Sequence, residues 1–357
     1  MFKIRTIQET GAWHKSNRYR QLFKELKPKQ QLQVLIDEFG DSHLYRDRKI
    51  SRATLKARAY VCHQALNTIR DSDLKIQNLL KIDQRHIKVV TDSWTAEKLA
   101  ASTIQTRVSI LKWLATGLGK RGLIQDMSYY GIADEAVKRT YVAQVDKSWS
   151  GHAVLSSEKI SEATALDVWV GNQLNLMGAF GLRIQEAVMI NPELADHGDS
   201  LIVEAGTKGG RARIVPIRTP EQRKVLDAAK LLAQRSKRGS MCPPHKKVEQ
   251  AIRRIYYIAD KLGITKQNLG VTPHGLRHQY ANDRYEEISG NPSAVRGGKA
   301  IVDRALDEKA RRQVTQDLGH ARLNITAAYT GPRIQGRPRG PAAQQSATSP
   351  DPILDDE

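Results

Sequence analysis

Cysteine is almost absent from this chain: Cys62 and Cys242 are the only two in 357 residues. They stand too far apart in sequence to form a disulfide framework or a paired zinc-ligand spacing. That scarcity fits a reducing compartment. No run approaches the ~18 apolar residues that a transmembrane helix needs. The opening MFKIRTIQETGAWHK has no apolar core of signal-peptide length. No internal repeat is apparent. Acidic residues are also short, with 38 Asp and Glu against 57 Lys and Arg, for a formal net charge of +19.

A charge of that size calls for a polyanionic partner, and nucleic acid is the commonest. An anionic membrane surface is the alternative, but no basic amphipathic helix leads into an apolar anchor. A cytoplasmic, nucleoid-associated protein is expected. The length suggests two domains, and a hydrophobic fraction of 40% is enough to pack a core in each.

The pattern is mainly α with one small β-hairpin, an α+β chain. Residues 1–50 are basic and polar and read as an arm with one or two short helices. Residues 51–145 read as a helical, basic bundle of four helices. Ser51 is placed as an N-cap, DLKIQNLLKI falls within the helical run, and STIQTRVSILKWLATGLG is amphipathic. On any one helix a basic face is an ordinary solvated surface; only the summed charge points to DNA. At VAQVDKSWSGHAVLSS the helical period is lost, and a linker is placed at 146–157. A second domain follows at 158–335. Its strand signal is SLIVEAGTKGGRARIVPI, two β-rich runs around a glycine turn. Thr272 and Pro273 read as the cap and first residue of a helix carrying His274 and Arg277. Residues 336–357 are Pro-rich and polar, with the composition of a disordered tail.

Four stretches hold chemistry-bearing residues. In TPHGLRHQYAN the His-x-x-Arg spacing sets His274 and Arg277 on one face near a helix N-terminus, where an anion is favoured. A surface arginine beside a satisfied histidine would give the same pattern. Zinc at His274 and His278 lacks a third ligand and a general-base Glu. In GLRIQEAVMI, Arg183 follows a helix-breaking glycine, and Glu186 one turn on can steady its guanidinium. An ordinary ion pair looks the same. Lys208 sits at the tip of GTKGG, where a lysine is usually solvated. The flanking glycines would let its ammonium approach a leaving oxygen and protonate it. LGHARLNITAAYTG ends the series, with Tyr329 nine positions after His320.

Arg183, Lys208, His274, Arg277, His320 and Tyr329 occur in the order, and with the closing step from His to Tyr, of the tyrosine recombinase (phage-type integrase) family. The C-terminal half, roughly residues 155–332, resembles that family. GLRIQEA resembles its first arginine box and GTKGGRARIVPI its β-hairpin lysine. HGLRHQYA resembles its His-x-x-Arg box, and LGHARLNITAAYTG its closing box. The resemblance implies a catalytic domain at 158–335 and a core-binding, DNA-binding domain at 51–145. It also implies a site-specific recombinase that cuts and rejoins DNA through a 3′-phosphotyrosyl link, with no metal and no cofactor. Tyr329 would be the nucleophile, and Arg183 and Arg277 the charge-neutralising donors. Lys208 would be the general acid, His274 a proton-transfer aid, His320 a phosphate hydrogen-bonder and Glu186 a support behind them. Double-stranded DNA and a tetramer on two DNA sites follow as implied partners, with an accessory DNA-bending protein as a third. A mobile-element integrase is the leading expectation. A chromosome or plasmid dimer resolvase and a non-catalytic architectural protein of the same fold are the alternatives. One departure stands out. From Arg277 to His320 is 43 residues, longer than the family's usual interval, with the excess near SGNPSAVRGGKAIVDRALDEKARR.

Overall fold

A computed structural model describes residues 17–43, 49–133, 136, 138, 141–298, 303–320 and 322–333. The notional tail at 336–357, and the part of the basic arm before Asn17, lie outside the described residues. The chain divides into two compact units, Met1–Arg139 and Thr140–Glu357, each with its own apolar core. Among the described residues no helix is long and apolar enough to cross a membrane.

The first unit is helical: α1 (Asn17–Glu25), α2 (Pro28–Phe39), α3 (Arg52–Asp71), α4 (Gln84–Ala96) and α5 (Ala101–Gly117). Ser51 caps α3, its hydroxyl accepting from Thr54 N at 3.2 Å, as expected of an N-cap serine. Phe23 of α1 and Leu32 and Leu35 of α2 are buried in one cluster with Cys62, Trp94 and Trp113. The segment read as an arm thus contributes two helices to the bundle core. Arg58 is buried too, donating to the carbonyls of Gly40 and Ser42 with its guanidinium 5.0 Å from the Trp113 ring.

DLKIQNLLKI does not form the fourth helix expected of it; only Leu79–Lys81 makes a 3₁₀ turn. Asn78 and Asp83 bind nearby backbone N–H groups through their side chains, which competes with helical pairing. Gln31 of α2 also takes the Leu79 N–H at 2.7 Å.

The second unit holds α6 (Ser156–Leu166), α7 (Val168–Phe180), α8 (Ile184–Met189), α9 (Pro192–Ala195), β1 (Ser200–Val203) and β2 (Arg213–Pro216). It continues with α10 (Pro220–Ala233), α11 (Val248–Lys261), α12 (Gly275–Ser289), α13 (Arg304–Asp317) and the one-turn α14 (Ala327–Thr330). The strands pair antiparallel with Leu201 opposite Val215 and Val203 opposite Arg213. Their joining turn contains Lys208. The central apolar helix α7 packs against α6, α10 and α12, and Leu174, Leu176, Met177 and Phe180 are fully buried.

Two boundaries differ from the sequence reading. Residues 146–157, read as a linker, include Trp149, which is fully buried in the second core and donates its indole N–H to the Thr272 carbonyl at 2.8 Å. Tryptophan is the largest apolar surface a side chain can bury, so this stretch is part of the unit's core. Thr272 and Pro273 do not begin α12. They lie in a turn closed by Gly275 N to Thr272 O at 2.8 Å, and His274 takes the N-cap position.

Candidate functional site

Three local devices aim Arg183, His320 and His274. Gly181 ends α7 in the left-handed region at φ 60°, where a Cβ would come within 2.6 Å of the Tyr280 ring. This turn sets Arg183 at the N-cap of α8, its N–H bonded to Glu186 Oε2 at 2.7 Å, half of a capping box. At the end of α13, Gly319 takes φ 68°. Its N–H bonds Gln316 O at 2.9 Å while the His320 N–H bonds Thr315 O at 2.9 Å. Those two bonds form a Schellman cap, which fixes the direction in which His320 leaves the helix. Trp149 and the Lys147 carbonyl lie against Gly275, each 2.7 Å from where a Cβ would be, and so back the turn bearing His274.

Arg277 is the hub. It is fully buried and donates Nε–H to the Tyr329 hydroxyl at 3.2 Å. Its Nη2 donates to Leu318 O at 2.7 Å and to His320 Nε2 at 3.3 Å, and Nη1 to Gly181 O. Since the guanidinium can only donate, His320 Nε2 is the acceptor and its proton sits on Nδ1. Tyr329 is 7% exposed. Its ring centroid is 4.6 Å from that of His278, 5.6 Å from His320 and 6.3 Å from His274.

Behind the hub, Glu186 is fully buried and joins three arginines. Arg183 Nη1 lies 2.8 Å from Oε1, Arg213 makes two bonds at 2.7 and 2.6 Å, and Arg277 Nη1 stands 3.9 Å away. Burial alone would raise the Glu186 pKa. The paired Arg213, with Arg183 and Arg277, overrides it and brings the carboxyl down to about 2. The three histidines shift together. Burial, then Arg277 and Arg183, hold His320 at about 3, and burial with His274 and Lys147 holds His278 at about 3. His274 is exposed at the rim, yet the protein packed around its ring, then Arg277 and Arg183, lower it to about 4. The cluster is therefore electropositive and holds its histidines neutral near pH 7. Such a cluster favours an anionic ligand.

Arg183, His274, Arg277, His320, Tyr329 and Glu186 thus come together from α8, α12, α14 and the loops between. Lys208 is in the hairpin turn, where Gly206 at φ 76° would place a Cβ 2.9 Å from the Gln185 carbonyl. The turn lies against the start of α8; the Lys208 side chain is outside the described atoms.

Sequence reasoning passed over Arg213, Asp317, Asn282 and Arg311, all buried. Arg213 was findable. It shares the inward face of β2 with Val215, and an arginine at an inward strand position needs a buried acid. The other three have no periodic signature, because each also meets a partner distant in sequence: Tyr280 for Asp317, Tyr329 for Asn282 and Thr330 for Arg311.

Both units resemble known integrases. Residues 139–283 match the integrase family and residues 30–124 match the phage integrase N-terminal family. Tyrosine recombinase XerA of Thermococcus kodakarensis is 30% identical over 165 residues, 44% of this chain and 48% of that protein. The chain thus spans about half the length of that relative. Tyrosine recombinase XerC of Nitrobacter winogradskyi is 23% identical across 81% of this chain and 87% of its own. The fold is shared with lambda integrase in a dimer bound to a COC′ core site. There the identity is 16% and the TM-score 0.56, over 87% of this chain and 98% of that one. Two integrase domains in family order, together with the tyrosine recombinases XerA and XerC among its relatives, lead to one conclusion: this chain belongs to the tyrosine recombinase family, of the phage-integrase type.

Proposed function

We propose that the protein is a site-specific DNA recombinase whose nucleophile is Tyr329. The observation that carries the reading is the 3.2 Å bond from Arg277 Nε to the Tyr329 hydroxyl. It seats a phenol oxygen on the one buried guanidinium that also touches His320. No packing role requires a phenol there.

The chemistry follows from those groups. The Tyr329 oxygen attacks a DNA phosphorus and its proton passes to His274. The bond from phosphorus to the 5′ oxygen breaks, and Lys208 protonates that oxygen as it leaves. The products are a 3′-phosphotyrosyl link and a 5′-hydroxyl, and a second 5′-hydroxyl reverses the step to reseal the strand. Arg183 and Arg277 neutralise the charge that grows on the non-bridging oxygens, and His320 hydrogen-bonds one of them. Glu186 holds the arginines without touching phosphate. The link conserves the energy of the broken diester, so the exchange needs no external energy source. Double-stranded DNA is the substrate, with a tetramer on two sites as the working assembly. Integration and excision of a mobile element is the biological role we favour.

The test is a nicked suicide duplex carrying the candidate site. The wild-type protein should form an SDS-resistant covalent adduct, and Tyr329→Phe should form none while binding DNA nearly as well. An adduct that survives Tyr329→Phe reassigns the nucleophile. No adduct on DNA that is demonstrably bound leaves the architectural reading.

A further inference from the structure

The long interval between Arg277 and His320 packs against the tyrosine segment from two sides. On one side, Ser293 is fully buried and donates its hydroxyl to Asn282 Oδ1 at 2.5 Å. The amide of Asn282, also fully buried, donates to the Tyr329 carbonyl at 3.3 Å and to the His278 carbonyl at 2.9 Å. Val295 and Ala294 close over Gly331. A Cβ there would lie 2.9 Å from Val295 Cγ1, and the backbone has φ 77°. Both the conformation and the space demand glycine.

On the other side is Arg311, only 3% exposed. Its Nη1 donates to Thr330 Oγ1 at 2.9 Å and to the Gly331 carbonyl at 3.1 Å, and its Nη2 to the Pro332 carbonyl at 2.9 Å. Asp307 holds Nε at 2.8 Å and is itself held by the Tyr285 hydroxyl at 2.7 Å. One side chain grips the three residues that follow Tyr329. A planar fork of five fixed donors can hold a peptide at one angle, which a lysine cannot do. Arg311 also lies on α13, the helix whose last turn presents His320. The rotation of a single helix therefore sets both His320 and the chain beyond the phenol.

We propose that Ser293–Val295 and Arg311 form a positioning device for the nucleophile, with Arg311 as its principal positioning residue. It fixes residues 330–332 so that the Tyr329 oxygen stays at Arg277. The proposal rests on the reading of Tyr329 as the attacking group. Arg311 touches no reacting atom and acts through the backbone next to Tyr329.

The experiment uses the full-length protein and the nicked suicide duplex. It measures the single-turnover rate of adduct formation at saturating DNA, DNA affinity, and amide hydrogen exchange over residues 326–333. Misplacing a reacting group by about 1 Å can cost up to ~100-fold, so Arg311→Lys and Thr330→Val should each slow adduct formation about ten-fold or more. DNA affinity should stay within about two-fold, and exchange should rise over 326–333 but not over 160–233. That division between rate and affinity is one that a general loss of structure does not give. Arg312→Ala, on the exposed face of the same helix, should match wild type. If Arg311→Lys does not fold, Thr330→Val decides alone, since it deletes one hydroxyl at constant shape. Folded variants that form adduct within about two-fold of the wild-type rate overturn the proposal. A wild-type protein that forms no adduct overturns the nucleophile reading itself, and this proposal with it. Adduct that is lost in Tyr329→Phe but normal in both variants overturns only the positioning role.

Discussion

The Nε of Arg277 lies 3.2 Å from the Tyr329 hydroxyl, and its Nη2 3.3 Å from Nε2 of His320. The phenol and the imidazole occupy the donors that a phosphate would use. In the proposed reaction a scissile phosphate trades these two bonds for bonds to its own oxygens, which frees the phenol at the moment its target arrives. The two remaining bonds, to the carbonyls of Gly181 and Leu318, hold the guanidinium still through the trade.

Arg277 variants should lose chemistry and stability together. Arg277→Ala removes a transition-state donor worth on the order of 3 kcal/mol. It also leaves two buried carbonyls unpaired, at about 1–3 kcal/mol each. Arg277→Lys keeps the charge but not the fork and should fall between. Single-turnover adduct rates and thermal melts check this. An alanine variant with wild-type melting and a rate within two-fold would contradict the hub role.

Glu186→Gln should destabilise the second unit by about 3–5 kcal/mol, because it leaves buried arginines facing one another without their anion. The same carboxylate gives the fold an acid limit. Its folded-state pKa is depressed from 4.5 to about 2, so its stabilisation is present above about pH 4.5 and is lost as pH falls towards 2. In the Gln variant that part of the acid dependence should be absent from denaturant titrations.

The histidines act in a higher window. His278 and His320 are lowered from 6.5 to about 3, and His274 from 6.5 to about 4. The unfolded chain takes up their protons below pH 6.5 and the folded protein does not, so stability falls as pH drops from 6.5 towards 4. A phosphate among them adds an anion and raises their affinity for protons. DNA binding should therefore take up protons between about pH 4 and 6.5. Titration calorimetry in two buffers of different ionisation enthalpy reads the number directly. No uptake in wild type, or the same uptake in His320→Asn and His274→Asn, would remove these residues from the phosphate's surroundings.

The net charge of +19 should appear as salt dependence. With six to ten phosphates neutralised, affinity should drop by about 10³–10⁵-fold between 50 and 200 mM salt. A flat dependence would exclude the phosphate backbone as the main contact.

Much of the fold was legible because its signals are local. Ser51 and Gly319 act at the helix ends where their residue types imply, and the strands fall on either side of GTKGG. Reading failed where a distant partner decides the outcome. Leu79 keeps its N–H for Gln31, 48 residues away, and no local pattern foretells that. Trp149 was hidden by its Ser- and Gly-rich neighbours, although its slot against Thr272 is 123 residues on. The residues that gather around Arg277 could be named from order and spacing. The bonds that hold them, from Arg213 to Glu186 and from Arg311 to the chain after Tyr329, could not, because strand and helix periodicity carry no information about pairing across a core.

The short stretch from Ala143 to Trp149 has a further consequence. The Ala143 N–H bonds the carbonyl of Ala327 at 2.8 Å, two residues before Tyr329, and Trp149 backs the turn of His274. A protease that cut between 143 and 155 would spare all six residues of the series and every helix that carries them. It would still sever the stretch that straps α14 and backs the turn of His274. Loss of adduct formation after such a cut would show that this stretch, which carries none of the six, holds the cluster in place.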